Sequence, residues 1–190
     1  MVQVGDSGEP ITTADCDGGR HGLPIIQGKE NVYPILIELL NYLQTKTSRR
    51  VIVTCGHRCP VHNAYVDSSK SNQTSKHQIG AEVDFYIQGM EDQPLEVVAL
   101  LMQYYQEHPS YKQSKEWTVF QRYDKPDSQV AVQPWMNKEI YIKLCQKEEG
   151  RDVDNRHPHP YISLQVRFDR DKKERVAYTY DKAFRGYPRN

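Results

Sequence analysis

Apolar residues come in short, well-patterned runs along this chain, separated by long polar stretches. In YPILIELLNYLQT, Tyr33 to Thr45, they recur at helical spacing, and Pro34 suits the first turn of a helix. PLEVVALLMQYYQEH, Pro94 to His108, repeats the pattern and again opens on proline. RRVIVTC is rich in β-branched residues and stops at Gly56, which predicts a short strand. AEVDFYI predicts a second strand, and WTVFQRY, EIYIKLC, YISLQVRF and RVAYTYD predict further ones. VHNAYVDSSKSNQTSK is polar and reads as a helical turn followed by a loop. The first stretch, with GDSGEP, DGG and QGKEN, is dense in turn formers and predicts an irregular arm over residues 1–32. Residues 33–190 then form one domain, with helices early and strands late. That order predicts an α+β fold with a mainly antiparallel sheet and flanking helices.

Composition narrows the picture. A chain of 190 residues can bury a real core, and no internal repeat or low-complexity segment interrupts it. The formal net charge is zero with both signs interspersed, which argues against a nucleic-acid partner. Thirteen tyrosines outnumber all other aromatics, so any cleft is expected to be rich in phenol groups. No apolar run approaches the roughly 20 residues of a membrane span. MVQVGDSGEP lacks the basic-then-apolar order of a signal peptide, so the expectation is an intracellular protein or a mature form whose leader was removed. Four cysteines, Cys16, Cys55, Cys59 and Cys145, fit either one or two disulfides or reduced thiols.

Candidate chemistry begins in SKHQIGAEVDFYI. Alternation along a strand puts Ala81, Val83 and Phe85 on a core face and Glu82, Asp84 and Tyr86 on the other. His77 lies on the approach, and Gly80 permits a sharp bend that brings its imidazole back beside Asp84. Imidazole nitrogen and carboxylate oxygen are both zinc ligands. A second cluster is NRHPHPYISLQVRF. Each histidine precedes a proline and is biased towards extended backbone. Counting in steps of two, His157 and His159 share the polar parity with Tyr161, Ser163, Gln165 and Arg167.

Taken together, VIVTCGHRCPVHN, SKHQIGAEVD and HPHP resemble the zinc peptidases that include lysostaphin-type endopeptidases, D-Ala-D-Ala carboxypeptidases and the hedgehog signalling domain. The match is nearest to the D-Ala-D-Ala carboxypeptidase branch, where a strand leads into Gly-aromatic-Arg-Ser-Pro, an Asn, and Ser-x-His-x-x-Gly-x-Ala-x-Asp. It covers Tyr33 to Ile87 well and Tyr161 to Arg167 in outline. The resemblance implies a hedgehog-like or D-Ala-D-Ala-peptidase-like fold with His77 and Asp84 as zinc ligands. It implies that Arg58 binds a substrate carboxylate or steadies the charge forming on the attacked carbonyl, and that Ser75 orients the substrate. From the His-x-His arrangement, His159 would be the third ligand and His157 the proton-handling residue. The implied reaction is attack of a zinc-bound water on a peptidoglycan stem peptide, most simply as a D,D-carboxypeptidase. A substrate of that kind implies a periplasmic or secreted protein.

Several positions depart from that pattern. Ser163 and Gln165 stand where the family's last strand has His and Asp, and no Glu-x-x-His motif is present. Glu139, Glu148 and Glu149 are the carboxylates that spacing favours less than His157 as a base. His57 replaces the aromatic before Arg58, and Cys59 replaces the Ser after it, which opens a link from Cys59 to Cys55 or Cys16. These departures keep a second expectation alive, an inactive member of the fold that binds a peptide or cell-wall fragment. A third, with Cys55 or Cys59 as nucleophile and His57 or His62 as base, lacks an orienting Asn or Asp in the local sequence.

Overall fold

The computed structural model describes residues 14–16, 21–23, 25–26 and 29–30 of the arm, and then 32–66, 74–127, 129–149 and 157–185. The opening segment before residue 14 and most of the predicted polar loop, 67–73, lie outside the described residues. In the arm, expected to be irregular, β1 (Ala14–Cys16) pairs with β2 (His21–Leu23), and β3 (Ile25–Ile26) with β4 (Lys29–Glu30).

Both predicted helices form. α1 (Pro34–Thr47) buries Ile35, Leu36, Leu39 and Leu43, the stripe that a period of 3.6 places on one side. α3 (Pro94–Glu107) buries Val97, Val98, Leu101, Tyr104 and Tyr105. Each begins with proline in its first turn, where a missing N–H costs no hydrogen bond. A shorter helix, α2 (Pro60–Val66), follows the first sheet strand, as the polar helical turn predicts.

Among the described residues the sheet has six strands: β5 (Val51–Cys55), β6 (Glu82–Ile87), β7 (Gln121–Arg122), β8 (Trp135–Met136), β9 (Ile140–Cys145) and β10 (Tyr161–Val166). Their spatial order is β5-β6-β10-β9-β8-β7, and every neighbouring pair is antiparallel. The molecule is therefore α+β with an antiparallel sheet. Register decides what each face carries. Phe85, Ile162 and Leu144 lie side by side, as do Val83, Leu164 and Ile142, and these rows pack under α1 and α3. The same register aligns Asp84, Ser163 and Lys143 on the opposite face, and next to them Glu82, Gln165 and Tyr141.

Two predicted strands are corrected. WTVFQRY is a strand only at Gln121–Arg122; its start belongs to α4 (Lys115–Thr118). Trp117 in that turn packs on Tyr111 and Phe168 at 5.6 and 5.9 Å between centroids, so aromatic packing overrides β propensity. RVAYTYD contributes only Arg175 to a strand, in the small hairpin of β11 (Phe168–Asp169) and β12 (Glu174–Arg175). The segment then enters α5 (Tyr180–Arg185), where Thr179 Oγ1 accepts the Lys182 N–H at 3.2 Å. No helix among the described residues is long and apolar enough to cross a membrane.

Candidate metal centre

Two backbone devices assemble the site. The first is a one-turn 3-10 helix, Lys76–Ile79, just before β6. Ser75 caps it by accepting the His77 N–H at 3.3 Å, and Gly80 closes it in the left-handed region at φ 65. This reversal lays the His77 imidazole over β6, with Nε2 3.3 Å from Asp84 Oδ2 and 3.8 Å from Glu82 Oε1. The predicted meeting of His77 and Asp84 across Gly80 therefore takes place.

The second device is a β-bulge in β5. Val53 pairs with Phe85, but the next partner of Asp84 is Cys55 and not Thr54. The extra residue turns Cys55 out of the parity it shares with Val53 and Val51 and aims its thiol onto the Asp84 side. Cys55 Sγ lies 3.6 Å from His77 Nδ1. One donor atom from each of Cys55, His77 and Asp84 falls within 4.8 Å of the others, so this group could hold a metal ion. Thiolate, imidazole and carboxylate together suit a borderline-soft divalent ion.

The surroundings hold these donors in place. His77 Nδ1 is 2.8 Å from the Gly56 carbonyl oxygen. A carbonyl can only accept, so Nδ1 carries a proton and Nε2 is left to face the carboxylates. Burial works against protonation of His77, but the Cys55 thiol, Glu82 and Asp84 outweigh it and hold the imidazole well above its usual range. Glu82 is buried too, which favours its neutral form; His77 and Lys143 overcome this and pull its carboxyl below the ordinary range. One Glu82 oxygen accepts from both Ser163 Oγ and Gln165 Nε2, each at 2.8 Å. Ser163 and Gln165, the positions that depart from the carboxypeptidase pattern, thus serve a carboxylate here.

Arg58 and Ser75 stand beside the group. The Arg58 N–H donates to the His77 carbonyl at 3.2 Å, and the guanidinium reaches Ser75 Oγ at 3.4 Å. His57 donates from Nε2 to the Gln78 carbonyl at 3.2 Å, and burial lowers its pKa to about 4, leaving it neutral. His159 and His157 lie elsewhere on this side of the sheet. The His159 ring packs on Tyr86 at 4.2 Å, and His157 stacks on His159 at 6.0 Å and meets the edge of Tyr161 at 5.1 Å. The third donor beside His77 and Asp84 is Cys55, and neither histidine of HPHP joins the group. Cys55, Cys59 and Cys145 are not in disulfides. Cys59 is buried, and its Sγ accepts the His62 backbone N–H at 3.3 Å.

Three residues were not read as part of the metal group. Cys55 was weighed only as a nucleophile or disulfide partner, because the bulge that turns it towards Asp84 is not written in the local sequence. Glu82 shares Asp84's parity and could have been counted with it. Lys143 is a lysine inside an otherwise apolar strand, which alone marks a face that is not core. Comparison with protein-family models, curated proteins and solved structures finds no match to the chain.

Proposed function

We propose that this protein is a zinc-dependent peptidase acting on a D-amino-acid-containing peptidoglycan stem peptide, most simply as a D,D-carboxypeptidase. The reading rests on the Cys55–His77–Asp84 group, with the His77 tautomer set by Gly56 so that Nε2 faces Asp84. Three protein donors are the number that a catalytic zinc uses while keeping one position open. Zinc held there would supply a Lewis acid for the scissile carbonyl. Cys55 takes the place that the resemblance gives to a histidine of the last strand, reaching Asp84 from β5 on the opposite side of β6. Arg58 brings a forked cationic donor to a substrate carboxylate or to a developing oxyanion. Glu82, ionised and 3.8 Å from His77, is placed to hold the proton of the attacking water, the role the resemblance gives to His157. His157 and His159 then flank a bound peptide at the Tyr86 end of the face. The fold would be of the hedgehog and D-Ala-D-Ala-peptidase type, and the substrate implies a periplasmic or secreted location.

The test is elemental analysis joined to peptide cleavage. One zinc per chain is expected, lost in His77→Ala, together with release of terminal D-Ala from a stem pentapeptide that stops in chelator. Glu82→Gln should keep metal and lose turnover, while His157→Ala should keep both; the reverse would return the proton role to His157. Metal held with no cleavage of any wall peptide would instead favour the binding-module role.

One observation favours a second reading. Sγ to Nδ1 at 3.6 Å and Nε2 to Oδ2 at 3.3 Å also suit a thiolate–imidazolium pair backed by a carboxylate, with the Nδ1 proton shared between the Gly56 carbonyl and Cys55, the arrangement of a cysteine nucleophile. The two readings separate at Cys55→His, which keeps a metal donor and removes the nucleophile. Activity that survives this change and dies in chelator belongs to the metal. Activity that resists chelator and dies with iodoacetamide belongs to the thiol.

A further inference from the structure

Next to the metal donors, the polar face of the sheet opens into a hollow of about 400 Å³ lined by Lys76, Tyr123, Asp127, Tyr141, Lys143 and Arg167. Gln165 in its wall is the same residue that donates to Glu82, so the hollow and the donor group share a boundary. Three cations converge on it against one carboxylate. Lys143 is the cation already engaged, 3.5 Å from Asp127 and 2.9 Å from Gln129 Oε1. Lys76 spends its ammonium on the Val166 carbonyl at 2.5 Å, and Arg167 donates to the Asn137 carbonyl. Neither makes an ion pair among the described residues. Burial is the main influence on Lys76 and Arg167; beyond it, Glu82 draws Lys76 while Arg167 and Lys143 repel it, and Arg175 repels Arg167. Lys76 and Arg167 also form the near wall of a second hollow of about 430 Å³ that contains Lys138 and Arg175. Partly buried cations facing one another across an open space are complementary to an anion.

We propose that this hollow is a subsite for a carboxylate carried by the substrate peptide, two or three residues from the bond that is cut. The proposal rests on the peptidase reading of the adjacent donors. A singly charged carboxylate fits better than a doubly charged phosphate, because Asp127 already occupies one side of the hollow. The tyrosine rings of Tyr123 and Tyr141, 5.4 Å apart and edge to face, offer an apolar wall for the methylenes of an acidic side chain. The spacing follows from the sheet. The hollow lies over β10 and β9, about two strand spacings or ~10 Å from Asp84 on β6, and an extended peptide covers that in about three residues. In a stem peptide cut before its terminal D-Ala, the D-glutamate carboxylate lies within that reach.

The test compares L-Ala-γ-D-Glu-L-Lys-D-Ala, a product that needs no turnover, with the same peptide amidated at the D-glutamate carboxylate. Calorimetry on the full chain should give about ten-fold tighter binding of the acid, as expected for one charge-assisted contact. Arg167→Gln should reduce that preference to near unity, and Arg167→Lys should retain it. Lys76→Met provides a second removal of charge should Arg167→Gln fold poorly. Equal affinities in the unaltered protein, a preference that survives both charge removals, or no binding of either peptide would each overturn the subsite. The two readings fail separately. Cleavage with equal kcat/KM on acid and amide pentapeptides would keep the peptidase and remove the subsite. Preference for the acid without any cleavage would keep the subsite and remove the peptidase.

Discussion

The two sides of the central sheet are buried to a similar degree and built from opposite materials. Under α1 and α3 the rows are Val83, Phe85, Ile142, Leu144, Ile162 and Leu164, all 5% exposed or less. On the other side Glu82, Asp84, Lys143 and Ser163 are 8, 4, 9 and 2% exposed. A carboxylate placed on each side makes the contrast quantitative in direction. Glu139, the residue before β9 and bonded to the helix side, accepts from the Tyr105 hydroxyl at 2.9 Å, and burial raises its pKa to about 7 despite the tyrosines and Arg170. Glu82 is as deeply buried, yet His77 and Lys143 hold it ionised. The helix side leaves its carboxyl about half discharged at neutral pH; the other side keeps its charges by pairing them. Sustaining buried charge costs desolvation energy, so a face that does so is better explained by chemistry than by stability.

The largest expected effect that tests this contrast is Phe85→Ala. Loss of a fully buried ring should cost about 3–5 kcal/mol in urea unfolding. The metal content of the folded fraction should be unchanged. Asp84→Asn should lose metal, and its stability cost, which comes from leaving the buried His77 charge one partner short, should shrink as pH rises and His77 discharges. If both variants lose stability alike and neither loses metal, the polar side is only a second core.

Next in size is the pH response. Because the Glu139 pKa rises from 4.5 to about 7 on folding, its contribution is fully present below pH 4.5 and is lost as pH climbs to about 7. The amount is roughly 3 kcal/mol. Glu82 has the reverse sign: its lowered pKa makes stability that is present above its ordinary range and lost as pH falls through the folded value. Glu139→Gln should therefore be more stable than the parent at pH 8 and similar to it at pH 4. Unfolding curves at those two values check the sign, and a destabilised Glu139→Gln at pH 8 would contradict it.

A smaller effect is expected at Ser163→Ala, which removes one of two donors from a buried Glu82 oxygen. The cost should be about 1–2 kcal/mol by urea unfolding, with lower metal affinity if Glu82 shifts towards His77. The smallest is Val53→Thr. Val53 is 49% exposed on the outer strand beside the bulge, and its stability change should stay within about 0.5 kcal/mol by thermal unfolding. A much larger loss there would mean that the bulge depends on that side chain.

Periodicity carried much of the fold. The stripes of α1 and α3 and the alternation of β6 and β10 are written in neighbouring residues, because helix and strand periods are local geometry. The failures arose where packing outweighed propensity, at Trp117 in WTVFQRY and in the turn into α5 after Val176. At the site, His77, Gly80 and Asp84 were readable together since one short turn and one strand contain them. Arg58 and Ser75 were found beside them only through the resemblance.

What the sequence by itself determined is therefore the local half: two amphipathic helices, the alternating strands, and a His and an Asp brought together by a glycine reversal. Tertiary structure decided which residues complete them. Cys55 was readable only as a candidate nucleophile or disulfide partner, and a single extra residue between Val53 and Cys55 in the pairing with β6 turned it onto the Asp84 side. His157 and His159 had the right parity, but His159 packs on Tyr86, two residues beyond Asp84 on β6, and His157 lies against His159 and Tyr161. Parity states which face a side chain takes, whereas register and bulges state where on that face it lands. Those are set by pairing between segments far apart in the chain, Cys55 with Asp84 and Asp84 with Ser163, and no local pattern encodes them.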